Sequence, residues 1–319
     1  MLLPCGDDWA LRVAQCAAEV GNRFPSSLSP YETLRSLVDK GGLACLLDEL
    51  SLPHPRTLQV AAETRVDSWP DSALENVFIK PHDSAAFFRQ FGVKAFRVSS
   101  RAELAARLGE VRQLGLSVQL QEYVPGPASN HYYVEGFIDR HGTRRALFVR
   151  QRLRMYPPDF GNSTLFESVV PSAVPDAVEA VTTLLSHARY RGMFSAELKR
   201  DERDGLCRLI EVNARPWWFV EFAGQCGLNV CEMAVLDALG EPVRDVTEYR
   251  VGKSCVYPYY DYYACRELRR VGRLSIAGWA TSWIRSTQPV LRWSDPLPAL
   301  TQTARLAVRR ASSLFRRAG

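Results

Sequence analysis

The 319-residue sequence lacks the features of several common protein classes. It has only five histidines, and none of its eight cysteines stands in a Cys-x-x-Cys pair, which argues against a zinc site. No stretch approaches the roughly 20 consecutive apolar residues that a membrane-spanning helix needs. The N-terminus reaches Asp7 and Asp8 without a basic segment, so a secretion signal is not expected. These absences favour a cytoplasmic protein with free thiols.

Excess charge is also missing from most of the chain. The net charge is +5, and five arginines follow the last acid, Asp295, so the remainder is formally neutral. A nucleic-acid-binding protein would carry basic residues over a whole face, and no such distribution is present. The basic tail also contains Leu306, Val308, Leu314 and Phe315. Two interpretations stay open: a helix packed on the body, or a peripheral contact with an anionic membrane at its inner face.

The sequence that is present mixes strand-like and helical patterns and predicts an α+β protein. Hydrophobic residues make up 46% and charged residues 24%, which is typical of a soluble protein with a core. Residues 1–5 are predicted to form a short strand, with a helix starting at Trp9. Strands are predicted over 77–81 and 94–98, with a polar and aromatic loop over 82–93.

A predicted hairpin carries the chemistry. Residues 193–199 and 207–213 read as two strands around a turn that ends in Asp-Gly. The centre of this turn places Glu197 roughly opposite Glu211, and directly opposed residues have Cβ atoms about 5 Å apart. Because side chains alternate along a strand, Asn213 faces the same way as Glu211. Two carboxylates and an amide oxygen are therefore expected to converge.

Opposed carboxylates in a sheet repel each other unless a cation neutralises them. An all-oxygen set suits Mg²⁺, which prefers carboxylates together with substrate phosphates. The alternative is a solvated sheet face with scattered charges, which would be the better interpretation of Glu197 alone. The three residues together favour the metal site.

These residues lead to a family resemblance. Glu197, the hairpin and the Glu211-x-Asn213-x-Arg215 pattern resemble the metal-binding signature of the ATP-grasp superfamily. Three earlier segments agree in order: Asp39-Lys40 with the following helix and Leu52-Pro53-His54-Pro55, Phe78-Ile79-Lys80-Pro81, and Leu120 to Gly126. The segments from Arg152 to Gly161 and from Phe194 to Lys199 are most similar to the carboxylate–amine ligase branch.

The resemblance implies a fold and a domain organisation. It implies an ATP-grasp fold, in which two α+β subdomains enclose the nucleotide, over residues 30–245. Residues 1–29 would be a remnant of the Rossmann-like domain that precedes the core in related enzymes, and 246–319 a C-terminal extension. The missing part would be lost, supplied by a separate chain, or absent from the gene model, and a homodimer is also left open.

The resemblance also implies residue roles. Lys40 and Lys80 would bind ATP phosphates, and Lys94 is either a further phosphate contact or a surface residue. The metal, Mg²⁺ or Mn²⁺, would be held by Glu197, Glu211 and Asn213. Arg215 would act with Lys80 on the transferring phosphoryl group.

Further roles concern adenine, ribose and substrate. The segment Glu122, Tyr123 and Val124 would bind adenine, with Glu122 accepting from its amino group. The ribose-binding residue is open, with candidates Ser129, Asn130 and His131. Arg152 or Arg154 would clamp a substrate carboxylate or phosphate.

The sequence departs from the family pattern between its two nucleotide strands. This connection is often glycine-rich in the superfamily, whereas here Gly92 is the only glycine between Lys80 and Lys94, and Phe87 and Phe88 lie in the middle of the connection. Closure over ATP is therefore expected to differ.

The implied function is an ATP-dependent ligase that joins a small-molecule carboxylate to an amine through an acyl phosphate. No Ser-His-Asp or Cys-His arrangement competes with this interpretation. Its rivals are a nucleotide-binding pseudoenzyme or scaffold of the same fold, and a carboxylase or carboxylate kinase.

Overall fold

The computed structural model describes residues 1–21, 23–60, 77–157, 161–291, 294–302 and 304–305. Its strands form two separate sheets, one of four strands and one of seven, each with helices packed against it. This mixed α/β architecture confirms the predicted fold class. Residues 158–160 of the segment after Arg152, and all of the tail beyond Arg305, lie outside the described residues.

The smaller sheet is antiparallel and has the strand order β1-β4-β2-β3. Its strands are β1 Thr57–Val60, β2 Val77–Pro81, β3 Phe96–Val98 and β4 Val118–Glu122. In β2, three apolar residues are buried before Lys80, which points towards the larger sheet. The strand thus anchors a cation at the edge of a hydrophobic core.

Two helices cover the smaller sheet: α5 Ser84–Phe91 and α6 Arg101–Gln113. The prediction of a loop over 82–93 is wrong in its centre, because α5 forms there. Asp83 caps this helix by accepting from the Ala86 backbone N–H at 2.8 Å. Phe87 and Phe91 lie four residues apart and pack together at 4.7 Å between ring centroids. The capping acid and this spacing are the signals that a loop prediction overlooks.

The larger sheet has the strand order β11-β10-β7-β6-β5-β8-β9. Its long strands are β5 His131–Ile138, β6 Arg144–Tyr156, β7 Asn162–Val169, β8 Gly192–Arg200 and β9 Cys207–Asn213. Two short strands, β10 Ser254–Val256 and β11 Ser286–Thr287, extend the far edge. The predicted hairpin is confirmed, with β8 and β9 as antiparallel neighbours.

The two faces of the larger sheet differ. On one face, apolar side chains that include Val134, Ala196 and Leu198 pack against helices before and after the smaller sheet. The residues between them, such as Tyr133 and Glu197, point to the opposite face because strand side chains alternate. That opposite face looks towards the smaller sheet and carries the polar residues of the candidate site.

The remaining helices flank the larger sheet. They are α1 Asp7–Gln15, α2 Ala17–Val20, α3 Tyr31–Val38, α4 Lys40–Glu49, α7 Pro175–His187, α8 Val220–Gln225, α9 Val230–Leu239, α10 Pro258–Arg270 and α11 Ile276–Ile284. In the described part of the chain, no helix combines the length and the hydrophobicity that a membrane span requires. All eight cysteines are free thiols.

The predicted strand over residues 1–5 is wrong. These residues are irregular, and the Leu2 backbone N–H donates to the Pro25 carbonyl at 3.0 Å. Pro4 has no N–H to give to a ladder, and a strand needs a neighbouring strand to satisfy its backbone. The helix that follows begins at Asp7 rather than at Trp9.

Candidate active site

A cleft of about 920 Å³ lies between the two sheets. Side chains from β2 and β4 line it on one side, and side chains from β5, β6, β8 and β9 line it on the other. Helices α1, α3 and α4 also contribute residues to its wall. The site therefore takes its residues from segments that are far apart in sequence.

Two carboxylates stand directly opposite each other in this cleft. Glu197 of β8 pairs in register with Glu211 of β9. A β-bulge follows, because the next pair is Leu198 with Leu209 and Ile210 has no partner in the ladder. A bulge increases the local twist, and such bulges are common next to active sites.

Glu197 is held as an anion by two neighbours. Its Oε1 lies 3.0 Å from Arg152 Nη2 and 2.8 Å from His131 Nδ1. Burial acts to raise the pKa of Glu197, but the Arg152 charge and the His131 hydrogen bond outweigh it and hold this pKa well below its usual range. Burial, together with the Arg152 charge, lowers the pKa of His131 to about 4. His131 is therefore neutral near pH 7.

Glu211 has the opposite environment. Glu211 is open to the solvent of the cleft, but partial desolvation by the cleft walls and repulsion from Glu197 raise its pKa. Asn213 Nδ2 lies 3.3 Å from Glu211 Oε1, and Asn213 Oδ1 accepts from Arg215 Nη2 at 2.8 Å. The three side chains predicted to converge lie close together, but the Asn213 amide nitrogen faces Glu211 while its oxygen is turned to Arg215. The charge repulsion between the two carboxylates is the condition that a divalent cation relieves.

Two lysines approach this pair from the other side of the cleft. Lys80 donates to Gln121 Oε1, and burial, together with repulsion from Lys40, lowers the pKa of Lys80 to about 8 against the attraction of Glu211. Lys40 is the first residue of α4 and donates to the Pro81 carbonyl. Burial lowers the pKa of Lys40 as well, while Glu211 and Asp39 oppose the shift. The lysines thus place positive charge where it faces Glu211.

Among the described residues, no group of three or more histidine, cysteine or acidic side chains is arranged to hold a metal ion. A cation at Glu197 and Glu211 would therefore take its other ligands from Asn213, phosphate oxygens and water. Mg²⁺ is bound in this way in many phosphate-handling sites, through one or two carboxylates plus substrate oxygens. The donor set fits magnesium.

Comparisons with known proteins show what this chain is similar to. No family model matches the chain. It is 26% identical over 264 residues to a D-aspartate ligase of Enterococcus faecium, a match that covers 80% of this chain and 62% of the relative. The chain thus spans less than two thirds of that relative's length.

Two solved structures share the architecture at low identity. A D-alanine–D-alanine ligase from Bacillus anthracis complexed with ATP superposes with a TM-score of 0.55 at 16% identity, covering 72% of this chain and 74% of that one. A Rhizobium etli pyruvate carboxylase superposes with a TM-score of 0.61 at 16% identity, covering 76% of this chain and 22% of that one. The chain has the ATP-grasp fold.

The predicted adenine segment lies at the cleft of this fold. Glu122, Tyr123 and Val124 all line it. The Glu122 carboxylate is already engaged, because Arg203 donates to it and it accepts from the Arg56 backbone N–H at 3.2 Å. An adenine amino group at this segment would therefore meet backbone carbonyls or compete with Arg203.

The predicted basic residues separate into two groups. Arg152 lies in the ATP-grasp cleft, where it contacts Glu197 and lies 2.8 Å from Ser163 Oγ. Arg154 is not among the cleft-lining residues. It makes a buried bidentate ion pair with Asp261, at 2.9 and 2.8 Å. Lys94 lines the cleft and donates to Asn162 at 2.8 Å.

The ribose candidates also separate. His131 lines the cleft but is bonded to Glu197. Asn130 donates to the Arg200 carbonyl at 3.1 Å, and the Ser129 carbonyl accepts from Gln151 at 2.7 Å. Neither Ser129 nor Asn130 is among the residues that line the cleft.

One acidic residue of the site was missed by the sequence interpretation. Asp7, in the first turn of α1, lines the cleft and forms a two-point ion pair with Arg215, with both oxygen–nitrogen distances at 3.0 Å. Arg215 thus reaches both Asn213 and Asp7. No local sequence pattern predicts this contact, because the two residues are 208 positions apart.

Proposed function

We propose that this chain is an ATP-dependent ligase that joins a carboxylate to an amine through an acyl phosphate, releasing ADP and phosphate. The observation that carries the proposal is the directly opposed pair Glu197 and Glu211, faced by Lys80 and Lys40 across the cleft. This arrangement suits phosphoryl transfer, in which catalysis consists almost entirely of positioning and charge stabilisation. The similarity to a D-aspartate ligase supports it.

The residues of the cleft divide the work of binding MgATP. Glu197, Glu211 and Asn213 would hold magnesium or manganese, which neutralises the charge that develops on the transferred phosphoryl group. Lys80 and Lys40 would bind phosphate oxygens as compact cations. The backbone of residues 122–124 would bind adenine.

The chemistry proceeds in two steps. A substrate carboxylate oxygen attacks the γ-phosphorus of ATP, and the bond to the ADP oxygen breaks as the acyl phosphate forms. The amine then attacks the acyl carbon, phosphate leaves, and the amine gives up a proton. Arg215 and Lys80 offset the negative charge of the transferring group, and the cleft walls limit attack by water.

D-aspartate is the first carboxylate to test, because the curated relative is named for it. The purified chain is incubated with MgATP, D-aspartate or a pool of other carboxylates, and a pool of amines including amino acids. ADP release is followed by a coupled assay and products are identified by mass spectrometry. We expect ADP release that requires both substrates, and an amide product.

The Glu211→Gln variant tests the site itself. It removes one of the two opposed charges while keeping side-chain size, so turnover is expected to fall at least 100-fold with the melting temperature retained. Glu110→Gln, on the exposed side of α6, is the matched control. Parental turnover by Glu211→Gln would remove this carboxylate from the mechanism.

The products also separate this proposal from its rivals. An acyl phosphate without amide would indicate a carboxylate kinase, and a carboxylated product a carboxylase. ATP binding without ADP release on any substrate pool would indicate a scaffold.

A further inference from the structure

Strand β6 carries another arginine in the cleft besides Arg152. Arg150 is 3% exposed and lines the cleft. Its Nε lies 3.0 and 3.1 Å from the two carboxylate oxygens of Glu135, and its Nη2 lies 2.9 Å from one of them. The guanidinium also stacks on the Tyr133 ring, with its carbon 3.6 Å from the ring centroid. One edge of Arg150 is therefore fixed in place.

The other edge finds no acceptor among the described residues. Within that part of the chain, Arg150 Nη1 is buried and makes no hydrogen bond, and the same is true of Trp217 Nε1. Trp217 is 5% exposed and also lines the cleft. Both residues adjoin Phe219, since Arg150 lies 5.4 Å from its ring and Trp217 packs in the same apolar cluster. Buried donors without acceptors are rare in native proteins, and a ligand is one way to satisfy them.

The position of Arg150 separates it from the phosphate-binding end. Arg150, Tyr133, Glu197 and Glu211 are successive register partners across β6, β5, β8 and β9. Neighbouring strands lie about 4.8 Å apart, so the Arg150 backbone is about 10 Å from that of Glu197. The lysines face Glu211, at the other end of this row. Arg150 thus lies on the side of the metal-binding pair away from the lysines.

We propose that Arg150 Nη1 and Trp217 Nε1 together bind a carboxylate group of the substrate other than the one that is phosphorylated, an inference that rests on the proposed function. A guanidinium edge and an indole N–H give two donors to one carboxylate, and charge-assisted hydrogen bonds are the stronger kind. Glu135 compensates the Arg150 charge, which lets the cation persist in a buried position. Phe219 provides an apolar wall beside the carboxylate.

The test measures binding rather than turnover, so that it does not depend on identifying the amine. Aspartate and asparagine, each as D and L forms, are titrated calorimetrically into the chain with magnesium and a non-hydrolysable ATP analogue. Trp217→Phe removes the indole N–H together with the pyrrole ring but keeps an apolar aromatic side chain, and Arg150→Lys keeps a cation beside Glu135 but loses the free edge. Trp9→Phe and Arg266→Lys, both on exposed helix surfaces, are the matched controls.

We expect Trp217→Phe and Arg150→Lys each to weaken aspartate binding by about tenfold or more, since a hydrogen bond to a charged group is lost. If aspartate alone is weakened, the pair binds the side-chain carboxylate. If aspartate and asparagine are weakened alike, it binds the α-carboxylate. Either result supports the proposal.

Parental affinity in Trp217→Phe, or no binding of any of these amino acids to the parent chain, would overturn it. Should Arg150→Lys lose its melting transition, Trp217→Phe decides alone. Failure of the proposed function gives a different result: amino-acid binding that depends on Arg150 and Trp217, without ADP release on any substrate pool.

Discussion

At the scale of single residues, the two opposed glutamates differ in their environments although they are neighbours in one ladder. Arg152 and His131 stabilise the charged form of Glu197, whereas partial desolvation by the cleft walls and repulsion from Glu197 destabilise the charged form of Glu211. Glu211 is therefore the carboxylate that gains most from a bound cation, because its charge has less compensation from the protein. This difference makes Glu211 the more informative position for substitution.

Lys80 gives a prediction about pH. Its pKa of about 8 means that the protonated form is lost as the pH rises through 8, and only that form attracts phosphate. The kcat/KM for ATP, which reports the free enzyme, is expected to be flat below pH 7.5 and to fall up to about tenfold per pH unit above 8. Initial rates between pH 6.5 and 9.5 measure this.

Lys80→Arg is the matched variant for this profile. Because a guanidinium stays protonated throughout the range, the alkaline fall should disappear even if the plateau is lower. An identical alkaline fall in Lys80→Arg and the parent would assign the titration to another group.

At the scale of elements, the sequence predicts what is local. The hairpin and the pairing of Glu197 with Glu211 follow from a turn signal and strand alternation, and both are observed. The strand predicted over residues 1–5 fails because strands need partners that a local pattern does not supply. The sequence prediction places a loop where helix α5 forms, because it does not use Asp83 as a helix cap before the aromatic residues. The contact between Asp7 and Arg215 has no local signal at all.

Helix α1 therefore has a testable role through Asp7. Asp7→Asn removes the charge that orients Arg215, and we expect kcat to fall roughly three- to fivefold, as for a partly exposed ion pair, with little change in the KM for ATP. Steady-state kinetics measure both parameters, and Asp7→Glu should recover part of kcat. Glu19→Gln, on the exposed surface of the neighbouring α2 and away from the cleft, is the control. Equal kcat values for Asp7→Asn and Glu19→Gln would show that α1 does not position Arg215.

At the scale of the whole molecule, two arginines separated by one residue serve different regions. Arg152 faces the cleft, whereas Arg154 pairs with Asp261 of α10, 107 positions away. Asp261 also accepts from Trp279 at 2.9 Å and Trp283 at 2.7 Å, both on α11. Register shifts in the pairing of β6 with β7 lie on both sides of Arg154, so simple alternation does not predict its direction. The hydrogen bonds around Asp261 connect helices α10 and α11 to the larger sheet.

Arg154 is accordingly expected to contribute to stability. Arg154→Met leaves the fully buried Asp261 carboxylate without its cation, which should lower the free energy of unfolding by about 3–5 kcal/mol. Urea unfolding followed by circular dichroism measures this. Arg266→Met, on an exposed face of the same α10, should change it by less than about 0.5 kcal/mol. Parental stability of Arg154→Met combined with weaker carboxylate binding would instead assign Arg154 to the substrate site, because its loss would then affect ligand binding and not the fold.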